Sequence, residues 1–236
     1  MVKIREFQEK DQDEAYAIWK HGMSVDLTEY WTDWIFNLFH VRVILLTLPL
    51  VVVYYGYGTP PVGILYAMVP SGLFIGFFRF MIYWNLNGYV ASRTDMLNIK
   101  KHHGKRFLVA EGDDGEILGT IVYVEETKIS TFKGRKLGKN TWEMFSMSVK
   151  ESARRLGIAN KMLAELEKRA KKSKTERIVF TASTPQVPAV KFYKKCGYDF
   201  EHEAFPTLGR SIFAAIFADC FLKFCRMDIV KFQKEL

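Results

Sequence analysis

Residues 143–159 read Glu-Met-Phe-Ser-Met-Ser-Val-Lys-Glu-Ser-Ala-Arg-Arg-Leu-Gly-Ile-Ala. A β-favouring run ends at Val149, a polar loop follows, and a helical pattern begins at Gly157 with Arg154 and Arg155 just before it. The chemistry this spacing supports is phosphate binding. The first N–H groups of a helix have no intrahelical partner, and the helix dipole adds positive potential at that end. Small residues at Gly157 and Ala159 let a pyrophosphate come close to the backbone, and the arginines add charge and hydrogen-bond donors. A glycine and a basic pair are also what a plain helix entry with solvated arginines looks like, so the surrounding pattern has to decide.

The elements around this loop alternate between sheet and helix. Residues 2–7 alternate apolar and polar as a half-buried strand, and Asp11 or Asp13 can cap a helix starting near Glu14. Strands are predicted at 106–110 and 117–124 around an Asp113-Asp114-Gly115 turn, then at 142–149. Over 157–172, Ile158, Met162, Leu163, Leu166 and Ala170 recur at helical spacing, which predicts an amphipathic helix laid on a sheet. A strand at 177–181, a short helix at 188–196 and strands at 198–204 and 224–232 complete the pattern, with the apolar stretch 211–217 free to touch a membrane surface.

Of the 236 residues, 49% are apolar or aromatic, but the excess is concentrated: residues 43–78 contain no Asp, Glu, Lys, Arg or His. Two apolar segments, 43–57 and 62–78, flank Gly-Tyr-Gly-Thr-Pro-Pro at 56–61, which is turn chemistry and predicts a helical hairpin. Each arm would rise roughly 22–26 Å at 1.5 Å per residue, against about 30 Å of hydrocarbon. The hairpin therefore spans with snorkelling at Arg42 and Arg79 or re-enters on one side, with Pro49 and Pro70 as kink points. Trp31, Trp34, Phe36 and Phe39 precede it, a mixture that suits a membrane interface and suits core packing almost as well. Basic residues flank the hairpin on both sides and are missing from its tip, which predicts that both flanks face the cytosol.

A net charge of +8 calls for an anionic partner. The basic runs at 99–106 and 133–136 lack interleaved aromatics, and no helix-turn-helix or zinc-finger pattern accompanies them, so nucleic acid is not expected. Cys196, Cys220 and Cys225 form neither a Cys-x-x-Cys pair nor an even set, and the histidines lack metal-ligand spacing, so no disulfide framework and no metal are expected. The first fourteen residues are too charged for a cleavable signal peptide.

Arg154-x-x-Gly157-x-Ala159 resembles the acetyl-CoA signature of the GNAT superfamily, R/Q-x-x-G-x-G/A, and Ala189-Val-Lys-Phe-Tyr193-Lys-Lys-Cys-Gly197-Tyr198 resembles its second signature, A-x-x-x-Y-x-x-x-G-F. The resemblance covers residues 1–28 and 105–236. It implies an α/β (α+β) GNAT fold, a mixed central sheet flanked by helices, into which the hairpin is inserted. It divides the chain into a first part of the catalytic domain at 1–28, a membrane-interface and hairpin insertion at 29–92, and the rest of the domain at 93–236. An apolar hairpin at that point, with Met147-Ser148-Val149 and Gly157-Ile158-Ala159, is similar to the camello-like membrane-bound N-acetyltransferases.

The resemblance implies that Met147, Ser148 and Val149 line the pantetheine arm of acetyl-CoA and that Arg154, Arg155, Leu156, Gly157, Ile158, Ala159 and Asn160 hold its pyrophosphate. Tyr193 matches the family's general acid. Glu143 stands where some members carry a catalytic base, with ordered water as the alternative, and strand alternation would put it on one face with Phe145, Met147 and Val149. Gln186 replaces an asparagine of many soluble relatives and is given no role. The implied activity is acetyl transfer from acetyl-CoA to the primary amine of a small amino-acid derivative, cysteine S-conjugates first, at the endoplasmic-reticulum membrane. The alternatives are a protein-lysine acetyltransferase and a silent acetyl-CoA-binding membrane protein. Specificity would come from variable loops such as 127–140, which no signature covers.

Overall fold

The computed structural model describes residues 2–38, 41–43, 47, 51, 60–125, 139–203 and 229–236. Seven strands form one sheet: β1 (Lys3–Glu6), β2 (Phe107–Glu111), β3 (Ile117–Val124), β4 (Thr141–Val149), β5 (Arg177–Ser183), β6 (Asp199–Glu203) and β7 (Ile229–Glu235). Their order is β1-β2-β3-β4-β5-β7-β6, and β4 with β5 is the single parallel pair among them. The helices are α1 (Gln12–His21), α2 (Leu27–Asn37), α3 (Pro60–Ser92), the one-turn α4 (Ile99–His102), α5 (Ile158–Lys172) and α6 (Val187–Lys195). The expected strands and the two expected helices after residue 150 are all present within a few residues; the first residues of the 224–232 strand, the 211–217 stretch and nearly all of the 127–140 loop lie outside the described residues.

Both faces of the sheet are covered, which is why the central strands read as nearly unbroken apolar runs. On one face Met162, Leu163, Leu166 and Ala170 of α5 bury against Leu108, Ala110, Ile121 and Tyr123. On the other, Ala15 and Trp19 of α1 with Val90, Met96 and Ile99 bury against Phe107, Val109 and Val122. Burying a side chain of the size of Leu166 is worth about 1.5–3 kcal/mol, so α5 is held by its stripe and not by intrinsic propensity. Asp11 does not cap α1; its carboxylate accepts from Gln8 N at 2.8 Å and pairs with Arg5, which also holds Glu111.

Strand β4 departs from simple alternation. Thr120 pairs with Ser148 and Val122 with Phe145, so Ile121 stands opposite two residues, Ser146 and Met147, and Ser146 adopts φ 56°. This is a β-bulge, and one extra residue turns every later side chain to the other face. Glu143 and Phe145 therefore share one face, while Met147 and Val149 pack with Trp142 and Met144 against the α5 side. The expected common face for Glu143, Phe145, Met147 and Val149 is corrected accordingly. Beyond Glu143–Val179 the parallel pairing stops, so the last six residues of β4 run on with no register to β5.

The insertion also differs from a simple hairpin. Residues 62–78 are not a separate arm: they are the first half of α3, which passes Pro70 and Arg79 and runs to Ser92, roughly 50 Å in all. Arg79 does not end the helix because its charge stays at the surface, 4.0 Å from Glu29, while Ile82, Leu86 and Val90 continue a buried stripe at four-residue spacing. Ile82 and Leu86 pack against α2 through Ile35, with Trp31, Trp34 and Phe36 alongside, so these aromatics serve packing. Among the described residues no helix is long and apolar enough to cross a membrane. Most of the 43–57 arm and the turn up to Thr59 lie outside them.

Candidate active site

Where β4 and β5 part, two hollows open. The first is a pocket of about 240 Å³ at the start of α5, lined by Val149, Arg154, Arg155, Gly157, Ile158, Ala159, Asn160 and the ring of Phe192. Gly157 is the N-cap, at φ 77°, a left-handed conformation that favours glycine, and a Cβ built there would meet nothing within 4 Å. The first helical bond runs from Lys161 N to Gly157 O at 3.1 Å, so the amides of Ile158, Ala159 and Asn160 precede the ladder. A concave, open backbone cradle with two arginines fits a pyrophosphate.

Not every predicted residue of this loop serves it in the same way. Arg154 donates from Nε to Val149 O at 3.3 Å and pairs through Nη2 with Asp26, in the π-helical turn Gly22–Asp26 between α1 and α2. It therefore ties the loop to the first helices as well as adding charge. Arg155 is exposed at φ 64°, and Leu156 is 67% exposed and does not line the pocket. Ser148 is buried against Gly22, where a Cβ would lie 2.7 Å from the serine Oγ, so it fixes the π-helical turn after α1 to β4.

The second hollow is a cleft of about 770 Å³ on the opposite side of the splay. Its floor is Glu143, Phe145 and Ser146 of β4 with Thr181 and Ser183 of β5; Leu27 and Trp31 of α2 and Leu86 and Tyr89 of α3 form an apolar wall. Trp31 Nε1 donates to Ser183 Oγ at 3.2 Å, which pins α2 across the open end of β5. Gln186 accepts from Ser183 N at 2.9 Å, a structural contact for a residue to which the sequence assigned no role.

Glu143 stands in the floor of this cleft, 4% exposed. Tyr193 lines neither hollow: its ring packs against Phe180 at 4.3 Å and Phe232 at 5.3 Å, and burial, reinforced by the Cys196 sulfur nearby, pushes its hydroxyl well above the ordinary tyrosine range. The shift keeps the phenol protonated but also makes it a weak acid, and with no lining position in either hollow the general-acid role expected of it draws no support from this geometry.

One polar cluster in the cleft was not anticipated. Arg93 grips Asp95 with Nε and Nη2, both at 2.8 Å, and His103 Nε2 meets the same carboxylate at 2.8 Å. Burial works against the charge of Asp95, but the hydrogen bonds from Arg93 and His103 win and hold its carboxyl far below the usual range. The sequence places His102-His103 in a basic linker; the eight-residue spacing to Asp95 was the available signal, and it acquires meaning only when the chain turns through α4.

A mixed sheet splayed at its one parallel pair, with a glycine-started phosphate loop on one side and an acceptor cleft on the other, defines an acyl-coenzyme A transferase. Residues 72–198, more than half the chain, match the model of the acetyltransferase (GNAT) family, and the chain belongs to that family. It is an acetyl-CoA-dependent N-acetyltransferase. N-acetyltransferase 8 of Mus musculus is 25% identical over 218 residues, 86% of each chain. Among solved structures, an acetyltransferase of the GNAT family from Staphylococcus aureus Mu50 is 14% identical with a TM-score of 0.53, over 100% of this chain and 99% of that one. Ard1 from Thermoplasma volcanium is 14% identical with a TM-score of 0.51, over 100% and 97%. The two structures share the fold.

Proposed function

We propose that this enzyme acetylates the primary amine of a small amphipathic amino-acid derivative, cysteine S-conjugates first among them, while docked on a bilayer. The observation that carries the reading is the cleft: a polar floor with Glu143 meets an apolar wall of Leu27, Trp31 and Leu86. An acceptor with a charged amino-acid head and an apolar tail matches both surfaces. The likeness to N-acetyltransferase 8 of Mus musculus supports transfer of an acetyl group to an amine. Bilayer contact is supported by α3, where Leu73, Phe77, Phe80 and Trp84 are all more than half exposed. The uncharged residues 43–78 and their basic flanks suit an endoplasmic-reticulum membrane with the catalytic domain in the cytosol.

When bound, acetyl-CoA supplies an acetyl group on a thioester carbonyl that an amine nitrogen can attack. Gly157 and the amides after it hold the pyrophosphate, with the charge of Arg154 and Arg155 beside them. Met147 and Val149 offer backbone groups of the unpaired β4 edge to the pantetheine arm, with Ser148 between them. Glu143 draws the ammonium into the cleft and takes a proton from it, directly or through water. The departing sulfur takes up a proton, from Tyr193 if its hydroxyl reaches the thioester and from water otherwise. Purified enzyme with acetyl-CoA and, in turn, S-benzylcysteine, aspartate and a lysine peptide tests the acceptor by mass spectrometry. N-acetyl-S-benzylcysteine as the dominant product is expected; acetyl-lysine alone would replace this reading with a protein acetyltransferase.

A further inference from the structure

The amine that enters the cleft is an ammonium at neutral pH and must lose two protons to become an amide. Glu143 accounts for one. We propose that His103, oriented by Asp95 and Arg93, is a second catalytic residue of the acetyl transfer and takes the other.

The tautomer follows from the contacts. Asp95 is ionised and can only accept, so His103 Nε2 must carry the hydrogen that bridges the 2.8 Å between them. In the neutral ring Nδ1 is then the basic atom, and it has no hydrogen-bond partner among the described residues. The ring is 7% exposed, sits edge-on to Phe145 at 5.7 Å, and lines the cleft together with Glu143. Phe145 shares the face of β4 with Glu143 because the bulge comes after both.

Arg93 completes the device. Its two bonds to Asp95 fix the carboxylate, Nη1 donates to Tyr89 Oη at 2.8 Å, and the guanidinium lies 5.4 Å over the Phe145 ring. Held between Arg93 and His103, the Asp95 carboxylate fixes the tautomer and orientation of the ring and leaves Nδ1 as the acceptor. The other charged or titratable groups lining the cleft are Glu143, His102 and Arg106. A purely structural histidine needs no accessible second nitrogen in a substrate-sized cleft.

One proton of the ammonium goes to Glu143, directly or through water, and frees the lone pair, the N–C bond forms, and the C–S bond breaks with its electron pair on sulfur. The second nitrogen proton goes to His103 Nδ1, sulfur takes up one proton, and Glu143 and His103 return theirs to solvent, so that one proton is released net.

This inference rests on the acetyl transfer to a small amine proposed above, and the pH dependence of kcat/KM separates the two. Wild type is expected to show an acidic limb, with activity rising as His103 loses its proton. His103→Gln should lose that limb and fall by about 10²–10⁴-fold while acetyl-CoA affinity is kept. Asp95→Asn, which removes the negative neighbour of the imidazolium, should move the limb to lower pH. A His103→Gln profile parallel to wild type and within a few-fold of it overturns the proposal and leaves the acetyltransferase reading standing; absence of turnover in wild type with any amine overturns both. Should His103→Gln not fold, ¹⁵N-histidine spectra of wild type decide. An Nε2–H tautomer whose protonation midpoint matches the kinetic limb supports the role, and a histidine that stays doubly protonated across the active range removes it.

Discussion

At the scale of single residues, the phosphate loop makes the cleanest separation between folding and binding. Gly157 has open space where a Cβ would go but a left-handed backbone, so a side chain there costs about 1–2 kcal/mol of strain and also intrudes on the pocket. Gly157→Val should abolish measurable acetyl-CoA binding in titration calorimetry while the fold survives, whereas unchanged affinity would remove the phosphate-loop assignment. Arg154→Ala should cost roughly 1–3 kcal/mol of charge-assisted bonding, less at high salt, but part of that loss will appear as stability because Arg154 also holds Asp26. If the Tyr193 hydroxyl reaches the thioester, Tyr193→Phe should lower kcat by about 10²–10⁴-fold at nearly constant acetyl-CoA affinity. Glu143→Gln should depress kcat/KM most near neutral pH and recover partly at high pH, where more of the amine is already neutral; a parallel profile would point to a water relay.

The element scale shows what the sequence could and could not reveal. The amphipathic stripe of α5, the turn before β3 and the alternation of β2 were legible because each is a local pattern enforced by burial on one face. The bulge in β4 was not, since Ser146 carries no mark of a left-handed backbone, and that one residue decides which side chains reach the cleft. Ser146→Gly should hold or raise stability by up to about 1 kcal/mol with activity retained, and Ser146→Val should lower it by about 1–2 kcal/mol, both read from thermal melts. Likewise the continuity of α3 through Pro70 and Arg79 depends on α2 packing against Ile82 and Leu86, a tertiary contact that no hydropathy pattern contains. The Arg93–Asp95–His103 cluster was hidden for the same reason: its members gain their roles from a cleft assembled by elements far apart in the chain, from α2 to β7.

Across the whole molecule, the first strand and the sheet are locked by one charged network. Arg5 bonds Asp11 at 2.6 and 2.9 Å and Glu111 at 2.8 Å from two nitrogens, and burial would raise the Asp11 carboxyl but for Arg5 and the Gln8 amide, which hold it low. A carboxylate with a depressed folded-state pKa adds stability above its unfolded value near 4 and loses it as pH falls through the folded one. Acid melts should therefore show a loss of stability in that window that Arg5→Ala lacks, on top of a pH 7 penalty of roughly 2–4 kcal/mol for leaving the buried Asp11 without its partner. Bilayer docking belongs to this scale as well: Phe77→Asp with Trp84→Asp should shift the protein from the membrane to the soluble fraction of anionic vesicles in flotation assays, and unchanged flotation would take α3 out of the membrane contact. The most direct measurement is transfer itself, with ¹³C-acetyl-CoA and S-benzylcysteine followed by mass spectrometry for wild type and Gly157→Val. Labelled amide from wild type and none from a folded Gly157→Val is the predicted result; equal labelling by both, or none by a wild type that binds acetyl-CoA, would contradict it.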